Sequence, residues 1–252
     1  MNAFAKRNLL WMWVAAFAIL MSILSAPALS RAADVYWVGD SSDWSNPDNW
    51  SPPAEPVAGD NVYLTSSDEI DRTVYYAGTL AAPLGYLRVD STDKGTMSLC
   101  VSQGSQPVEG PLSMSSDRID IGYDGVGIFN QTEGYVLTYG GLFLGVNPGG
   151  SGVYNFSGGG VGALSGAYIG TSSTLNQTGG SLRSDGMGVW GTYNVSNDSF
   201  AHPDGFWITS TGTLNQSGGI ISNSNGAGGL NEGTINLQEA VTKKAYPIIM
   251  EL

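Results

Sequence analysis

The densest group of side chains with catalytic potential is an acidic run near the middle of the chain. It contains Asp117, Arg118, Asp120 and Asp124 within eight residues. Hydrolysis of a glycoside needs two carboxylates that flank one bond, and a polysaccharide lyase needs a base together with charge neutralisation. In a strand Arg118 and Asp120 would share one face, and Asp124 could join them from the next turn. The competing interpretation, which we favour, is that these are solvated charges that keep a sheet edge soluble.

Three other features could support chemistry, and each has a simpler explanation. The acidic loop 40–48 could hold Ca²⁺, but its spacing does not match an EF-hand. His202, the single histidine, precedes a proline in a loop and is expected at the surface. Cys100, the single cysteine, lies in an apolar run and is expected to be a small buried hydrophobic residue. The sequence thus predicts no catalytic residues, no cofactor and no metal apart from a weak Ca²⁺ site, and favours a non-enzymatic role.

The composition excludes several functional classes. The chain has 252 residues, of which 10 are basic and 22 acidic, giving a formal net charge of −12. Nucleic-acid binding needs Lys and Arg side chains that displace counterions, so we expect none. One cysteine rules out an internal disulfide framework and a Cys-based zinc site. Hydrophobic residues make up 42% of the chain, enough to form a core, which argues against a disordered protein.

Residues 1–33 have the layout of a secretory signal peptide. Two basic residues precede an apolar run at 9–24, and Ala26-Pro27-Ala28 fits the small-x-small rule for cleavage. The run is short for a membrane span of about 20 residues, so we expect cleavage between 28 and 33 and no transmembrane segment afterwards. The sequence therefore predicts an exported protein that is extracellular, on the cell surface or in the periplasm.

One motif recurs six times in the second half of the chain. Gly127-Ile-Phe-Asn130-Gln-Thr-Glu-Gly134 and Gly212-Thr-Leu-Asn215-Gln-Ser-Gly-Gly219 are two of its copies. The asparagines of the six copies are Asn130, Asn155, Asn176, Asn194, Asn215 and Asn236. Their spacings of 25, 21, 18, 21 and 21 residues are typical of a solenoid, in which each coil rests on the previous one.

The copies alternate with a period of two, which indicates strands. The apolar residue before each asparagine, Phe129 in the first copy, is expected to point inward, with the asparagine on the other face. The companion column that begins with Gln131 is mixed, and a one-residue slip would exchange the faces. Coils stacked about 4.8 Å apart would let the asparagines form an amide ladder. The sequence predicts an all-β, single-stranded parallel β-helix with about ten coils of about 21 residues.

Residues 34–64 differ in composition and are interpreted as an N-terminal cap or first coil. Coils follow over 65–252, with clear repeats at 121–240. Three tryptophans fall within fourteen residues of the cap: Trp37, Trp44 and Trp50. We expect these rings to close the exposed end of the first coil. The alternative is a tryptophan-lined platform for sugars, because aromatic faces are natural stacking surfaces.

The cap and the repeats resemble one group of exported bacterial proteins. The resemblance lies in Tyr36-Trp37-Val38-Gly39, in the block Trp44-Ser45-Asn46-Pro47-Asp48-Asn49-Trp50, in the strand at 59–64 and in the Gly-Thr-Leu-Asn-Gln-Ser-Gly-Gly units. This pattern is similar to the PEP-CTERM and autotransporter-associated β-strand-repeat proteins of planctomycetes and their relatives. The resemblance implies a right-handed β-helix in an extracellular or cell-envelope setting, and it implies no chemistry. The segment 243–252 departs from the group because it carries no sorting tail.

Two functional classes follow from these observations. The favoured one is a non-catalytic structural or adhesive module of the cell surface that contacts polysaccharide. The alternative is a carbohydrate-active β-helix, either a lyase or a hydrolase. A column of threonines beside the asparagines would offer a flat array to glycans or to ordered water: Thr174, Thr192, Thr213 and Thr234. The sequence leaves the ligand and the oligomeric state open.

Overall fold

The computed structural model describes residues 32–78, 83–102, 113–223 and 231–238. Within these ranges it contains 23 strands, β1 to β23, and one 3₁₀ turn at Pro47–Asn49. Every strand pairing there is parallel except one at the N-terminal end. The predicted all-β parallel solenoid is therefore confirmed. The predicted signal peptide at 1–33 lies, apart from its last two residues, outside the described residues, as does the segment 243–252.

One side of the solenoid, face 1, is a nine-stranded sheet that carries the asparagine motif. Its strands, in the order in which they stack, are β2 (Ser42–Asp43), β5 (Arg72–Tyr76), β7 (Met97–Val101), β9 (Val126–Gln131), β12 (Ser151–Phe156), β15 (Thr174–Gln177), β18 (Thr192–Val195), β21 (Thr213–Gln216) and β23 (Thr234–Leu237). The six predicted asparagines pair with one another in register along this sheet.

A second sheet is bent into two further faces. Face 2 consists of the first half of β8 (Ser113–Ile121), β10 (Tyr135–Thr138), β13 (Gly160–Ala163), β16 (Ser181–Ser184), β19 (Phe200–Pro203) and β22 (Ile220–Ile221). Face 3 consists of β1 (Asp34–Trp37), β4 (Asn61–Ser66), β6 (Leu84–Ser91), the second half of β8, β11 (Leu142–Leu144), β14 (Ala167–Ile169), β17 (Met187–Val189) and β20 (Phe206–Ile208). The two faces join at β8, which pairs with β10 through one end and with β11 through the other.

The predicted number of coils is wrong, because the solenoid has about eight turns rather than ten. The N-terminal turns are longer than the repeat. Val35 pairs with Val62, Val62 with Leu87 and Leu87 with Ile119, so these turns take 27, 25 and 32 residues. The period of 21 residues read from the asparagines holds only in the second half, and extending it to the first half gave too many coils.

The interior is filled by the column that the sequence placed inside, together with its companion column. The column that begins with Phe129 has zero exposure in five successive coils: Phe129, Tyr154, Leu175, Tyr193 and Leu214. The mixed companion column lies inside as well, where Gln131 and Gln177 are also fully buried. Both columns face the core because residues two apart in a strand point the same way.

Buried tyrosines explain why the companion column is mixed. The hydroxyl of Tyr154 donates to Oε1 of Gln131 at 2.5 Å, and that of Tyr193 donates to Oε1 of Gln177 at 2.6 Å. Each glutamine comes one coil before its tyrosine. Burial raises the pKa of both phenols above the ordinary value of 10, so they remain protonated donors. A tyrosine in one coil therefore requires an amide acceptor in the coil before it.

The three N-terminal tryptophans are buried and packed together at the first coil. Trp37, Trp44 and Trp50 are 5%, 2% and 2% exposed. Trp50 packs edge-on against both of the others at centroid distances of 4.9 and 4.8 Å. The short strand β3 (Trp50–Ser51) adds to β1 in antiparallel orientation, so it covers one edge of the first coil. The alternative of a tryptophan platform for sugars is wrong, because these rings are buried.

Candidate functional site

The six asparagines form a continuous ladder on the outer side of face 1. In each step Nδ2 of one side chain donates to Oδ1 of the asparagine one coil earlier, at 2.7 to 2.8 Å. At the N-terminal end of the ladder, Nδ2 of Asn130 donates to Sγ of Cys100 at 3.6 Å. Each asparagine between the two ends of the ladder donates one hydrogen bond to the coil before and accepts one from the coil after, so these amides connect neighbouring coils.

We expect Asn176→Ala to lower the free energy of unfolding by about 1–3 kcal/mol. The change removes the bond that Asn176 donates to Asn155 and the bond that it accepts from Asn194. Thr178→Ala is the matched control, since Thr178 is exposed two residues later, and it should shift stability by less than about 0.5 kcal/mol. Urea unfolding monitored by circular dichroism measures both. Equal midpoints for the two variants would mean that the ladder does not stabilise the coils.

The predicted threonine column runs beside the ladder. Thr174, Thr192, Thr213 and Thr234 pair in register in four successive strands of face 1. The first three are partly buried, and only the last is exposed. On face 1 these threonine hydroxyls lie beside amides that are already hydrogen-bonded to each other. This leaves the face fewer free donors and acceptors than the sequence suggested.

The acidic run lies on face 3, where β8 brings Arg118 and Asp120 together as predicted. Nε of Arg118 donates to Oδ1 of Asp120 at 2.8 Å, and the hydroxyl of Tyr86 donates to Oδ2 at 2.5 Å. Asp120 is only 1% exposed. Asp117 is exposed at the bend where β8 passes from face 2 to face 3. Because Asp120 is buried and both its oxygens accept hydrogen bonds, it serves to hold Arg118 in place.

A second arginine extends this cluster and brings in Asp124. The guanidinium of Arg88 lies 3.7 Å from the ring centre of Tyr123, and Nη1 is 3.9 Å from Oδ2 of Asp124. Oδ1 of Asp124 accepts a hydrogen bond from Asn147 at 2.7 Å. Burial raises the pKa of the Tyr86 phenol above its ordinary value, and its hydrogen bond to Asp120 adds to the rise. Tyr86 therefore stays protonated, and it cannot act as a general base at neutral pH.

A row of aromatic rings runs along the outer side of face 3. Phe143, Tyr168 and Trp207 are the outward residues of β11, β14 and β20, and Gly188 takes that position in β17. Phe143 and Tyr168 stack with centroids 4.9 Å apart and planes inclined by 13°. Trp190, just after β17, lies 6.3 Å from Tyr168 at an inclination of 36°. The rings follow one another because the strands are in register.

Glycines provide the space that these rings occupy. A Cβ atom on Gly188 would lie 2.4 Å from the six-membered ring of Trp190 and 2.8 Å from Nε1 of Trp207. A Cβ atom on Gly141, whose φ is +110°, would lie 2.9 Å from the ring of Phe143. Without side chains at these positions, the rings can lie close to the sheet.

Phe143, Tyr168 and Trp190 line a groove of about 610 Å³, which we call the aromatic groove. Its lining consists of Arg118, Phe143, Tyr168, Trp190 and the segments 144–150 and 170–172. Arg118 is the one charged side chain among these lining residues, and its guanidinium lies 4.2 Å from the ring centre of Phe143. Asn147, Thr171 and Ser172 supply neutral polar groups. Such a combination of apolar surface and a few polar groups suits a small-molecule or oligosaccharide ligand.

Sequence reasoning missed this groove, although a signal was present. The short apolar runs at 142–145, 168–170, 189–191 and 206–208 read as strands that close each coil. Each run places an aromatic residue next to an aliphatic one, and where the aliphatic residue points inward, period-two alternation puts the aromatic neighbour on the outside. The prediction of a strand alone does not say which residues of a run face outward, so the groove was not identified from the sequence.

The remaining candidate residues do not gather into a site. Cys100 occupies the first position of the asparagine file, where it is partly exposed, so its predicted burial is wrong. The reason is parity, because Leu99 and Val101 on either side point into the core. His202 lies in strand β19 and is partly buried, so its predicted place in an exposed loop is wrong; its ring is 5.9 Å from that of Phe200. In the ranges that the structure describes, no three His, Cys, Asp or Glu residues come close enough to hold a metal ion, and the loop 40–48 is no exception.

Comparison of the chain with protein-family models, with curated proteins and with solved structures finds no match in any of the three. Within its described part, the chain has no helix of the length and hydrophobicity that crossing a membrane requires. Any functional conclusion therefore depends on the geometry of the aromatic groove and of the polar cluster beside it.

Proposed function

We propose that this protein is a non-catalytic, exported β-solenoid of the cell surface or extracellular space that binds polysaccharide in the aromatic groove. The proposal rests on the three aromatic rings of Phe143, Tyr168 and Trp190, which follow one another along a groove of about 610 Å³. Sugar rings present faces of C–H groups, and these fit against the negative faces of aromatic rings. Successive rings on successive coils suit a polymer that runs along the solenoid.

The setting of the proposal comes from the sequence. The layout of residues 1–33 supports export, and the cap and repeat pattern resembles PEP-CTERM and autotransporter-associated repeat proteins. We take the winding to be right-handed, as parallel crossover connections nearly always are. An adhesive or structural role suits a rigid rod whose coils are tied by a ladder of side-chain hydrogen bonds.

The second candidate function is a carbohydrate-active enzyme, and one observation favours it. Tyr86, Arg118 and Asp120 lie together next to the groove, as catalytic groups of such an enzyme would. The same hydrogen bonds speak against it, because Asp120 is buried and saturated and Tyr86 holds its proton. Release of reducing or unsaturated ends from acidic polysaccharides, lost on Asp120→Asn, would support this second function.

Trp190→Ala should weaken polysaccharide binding about tenfold or more, because it removes the largest ring of the groove. Tyr75→Ala is the matched control, since Tyr75 is an aromatic residue on face 1 that is 49% exposed, and it should leave binding unchanged. Affinity electrophoresis through gels that contain neutral and acidic polysaccharides measures both variants. If no polysaccharide retards the wild-type protein, or if both variants are retarded as strongly as wild type, the proposed function is wrong.

A further inference from the structure

We infer that the aromatic groove recognises a carboxylated sugar, a uronic acid within an acidic polysaccharide, through the guanidinium group of Arg118. This inference rests on the proposed function and makes it more specific. Three properties of Arg118 support it: its fixed position, its unused donors and its place in an otherwise uncharged lining.

Arg118 is held in position before any ligand arrives. Nε donates to Asp120 at 2.8 Å, and the guanidinium carbon lies 4.2 Å from the ring centre of Phe143. Asp120 is itself fixed by the hydroxyl of Tyr86. A preorganised arginine loses less side-chain entropy on binding than a free one, and more of the interaction energy therefore remains as affinity.

The donors of Arg118 that are not used point to an anion. Nε serves Asp120, whereas Nη1 and Nη2 have no hydrogen-bond partner among the residues that the structure describes. The side chain is 38% exposed and lines the groove. Two parallel N–H groups of a guanidinium match the two oxygens of a carboxylate, which makes this pair stronger and more specific than a neutral contact.

The charge pattern of the groove agrees with this assignment. The chain as a whole carries a formal charge of −12, but none of the described residues that line the groove is acidic. Asp120, which balances Arg118, is 1% exposed, so a ligand in the groove contacts the guanidinium of Arg118 and not this carboxylate. An anionic sugar in the aromatic groove meets an exposed cation, while most of the rest of the molecule would repel it.

The test compares carboxylated polymers with their neutralised forms. The probes are polygalacturonate, alginate and hyaluronan, each beside a preparation whose carboxyl groups are methyl-esterified, together with dextran sulfate. Titration at about 0.15 M salt limits the influence of distant charges. We expect the wild-type protein to bind at least one carboxylated polymer about tenfold or more tightly than its ester. This comparison needs no variant, so it does not depend on whether a mutant folds.

Two substitutions of Arg118 test whether this residue causes the preference for the carboxylated form. Arg118→Gln should bind the acid and the ester form equally. Arg118→Lys should keep only part of the preference for the acid form, because lysine retains the charge but lacks the two parallel N–H donors of a guanidinium. Trp190→Ala should weaken binding to acid and ester alike.

Each other outcome is decisive. If the wild type binds acid and ester equally, the inference is overturned and polysaccharide binding stands. If it binds neither form of any polymer, the proposed function fails and the inference fails with it. If dextran sulfate binds as tightly as the best carboxylated polymer, the groove responds to charge alone, and carboxylate recognition is wrong.

Discussion

Gly152→Ala should destabilise the protein by at least about 3 kcal/mol, among the largest effects of any conservative substitution in the chain. Gly152 is buried in β12, and a Cβ atom there would lie 2.2 Å from the carbonyl oxygen of Ile121 and 3.0 Å from Cα of Leu144. These are backbone atoms that cannot move without shifting a coil. The same position is glycine in four other copies of the motif, and the contact recurs there: Gly127, Gly191, Gly212 and Gly233.

Gly205→Ala is the control for this prediction. A Cβ atom on Gly205 would meet only the ring of Trp207, at an ordinary 3.7 Å, and its φ is not in the left-handed region. We expect a change within about 0.5 kcal/mol, or a small gain from the reduced entropy of the unfolded chain. Urea midpoints of the two variants compare them directly. If Gly152→Ala unfolds at the same urea concentration as Gly205→Ala, the coils do not lie as close together at Gly152 as the structure indicates.

Gln177→Leu is expected to cost about 3 kcal/mol or more. The buried amide accepts from the hydroxyl of Tyr193 and donates to the carbonyl oxygens of Gly180 and Phe200, both at 3.1 Å. Leucine fills a similar volume but removes all three bonds and leaves the hydroxyl of Tyr193 without its acceptor, whereas the carbonyl of Gly180 keeps the bond from the amide of Phe200. A buried polar group that loses its partner costs about 1–3 kcal/mol, and each bond lost at a carbonyl adds about 0.5–1.5 kcal/mol. Denaturant unfolding of the variant measures the loss.

The Tyr193–Gln177 contact makes a sharper prediction for the double variant. Tyr193→Phe in the Gln177→Leu background should recover about 1–3 kcal/mol, because it removes the orphaned hydroxyl. The solenoid already contains this arrangement, since Phe156 holds the glutamine position in the coil before Leu175. If the double variant is less stable than Gln177→Leu alone, the hydroxyl of Tyr193 does not depend on Gln177.

The periodic part of the structure could be predicted because each coil reuses the same contacts. The file of asparagines fixes both the strand on face 1 and its register, and the alternation around Phe129 fixes which residues point inward. The mixed column at Gln131 looked inconsistent in the sequence because glutamine is rarely buried. The explanation is the hydrogen bond that Gln131 accepts from Tyr154 in the next coil. This pair of side chains can be recognised in the sequence only when the register between the two strands is known. No tyrosine faces Gln216 in the next coil, so a glutamine in this column is not always paired with a tyrosine.

The cluster beside the groove could be predicted only in part. Parity within one strand placed Arg118 next to Asp120 correctly. Tyr86 could not be foreseen, because it lies 34 residues before Asp120 and the turn between them is longer than the repeat. The burial of Trp37, Trp44 and Trp50 was predictable because three large rings in a short segment favour a shared apolar environment. The groove could have been predicted as well, had the parity of Phe143 and Tyr168 been followed.

The central claim is that Phe143 and Tyr168, on neighbouring coils, project outward from face 3 in register with each other. Engineered cysteines test it, in a Cys100→Ser background that removes the native thiol. Phe143→Cys with Tyr168→Cys should form a disulfide under mild oxidation, since the two residues pair on neighbouring strands with their side chains on the same side. Leu144→Cys with Tyr168→Cys should not, because Leu144 points into the core. Mass spectrometry of the oxidised variants gives the cross-linked fraction. Cross-linking in the first pair alone is what we predict, and equal or greater cross-linking in the second pair would contradict it.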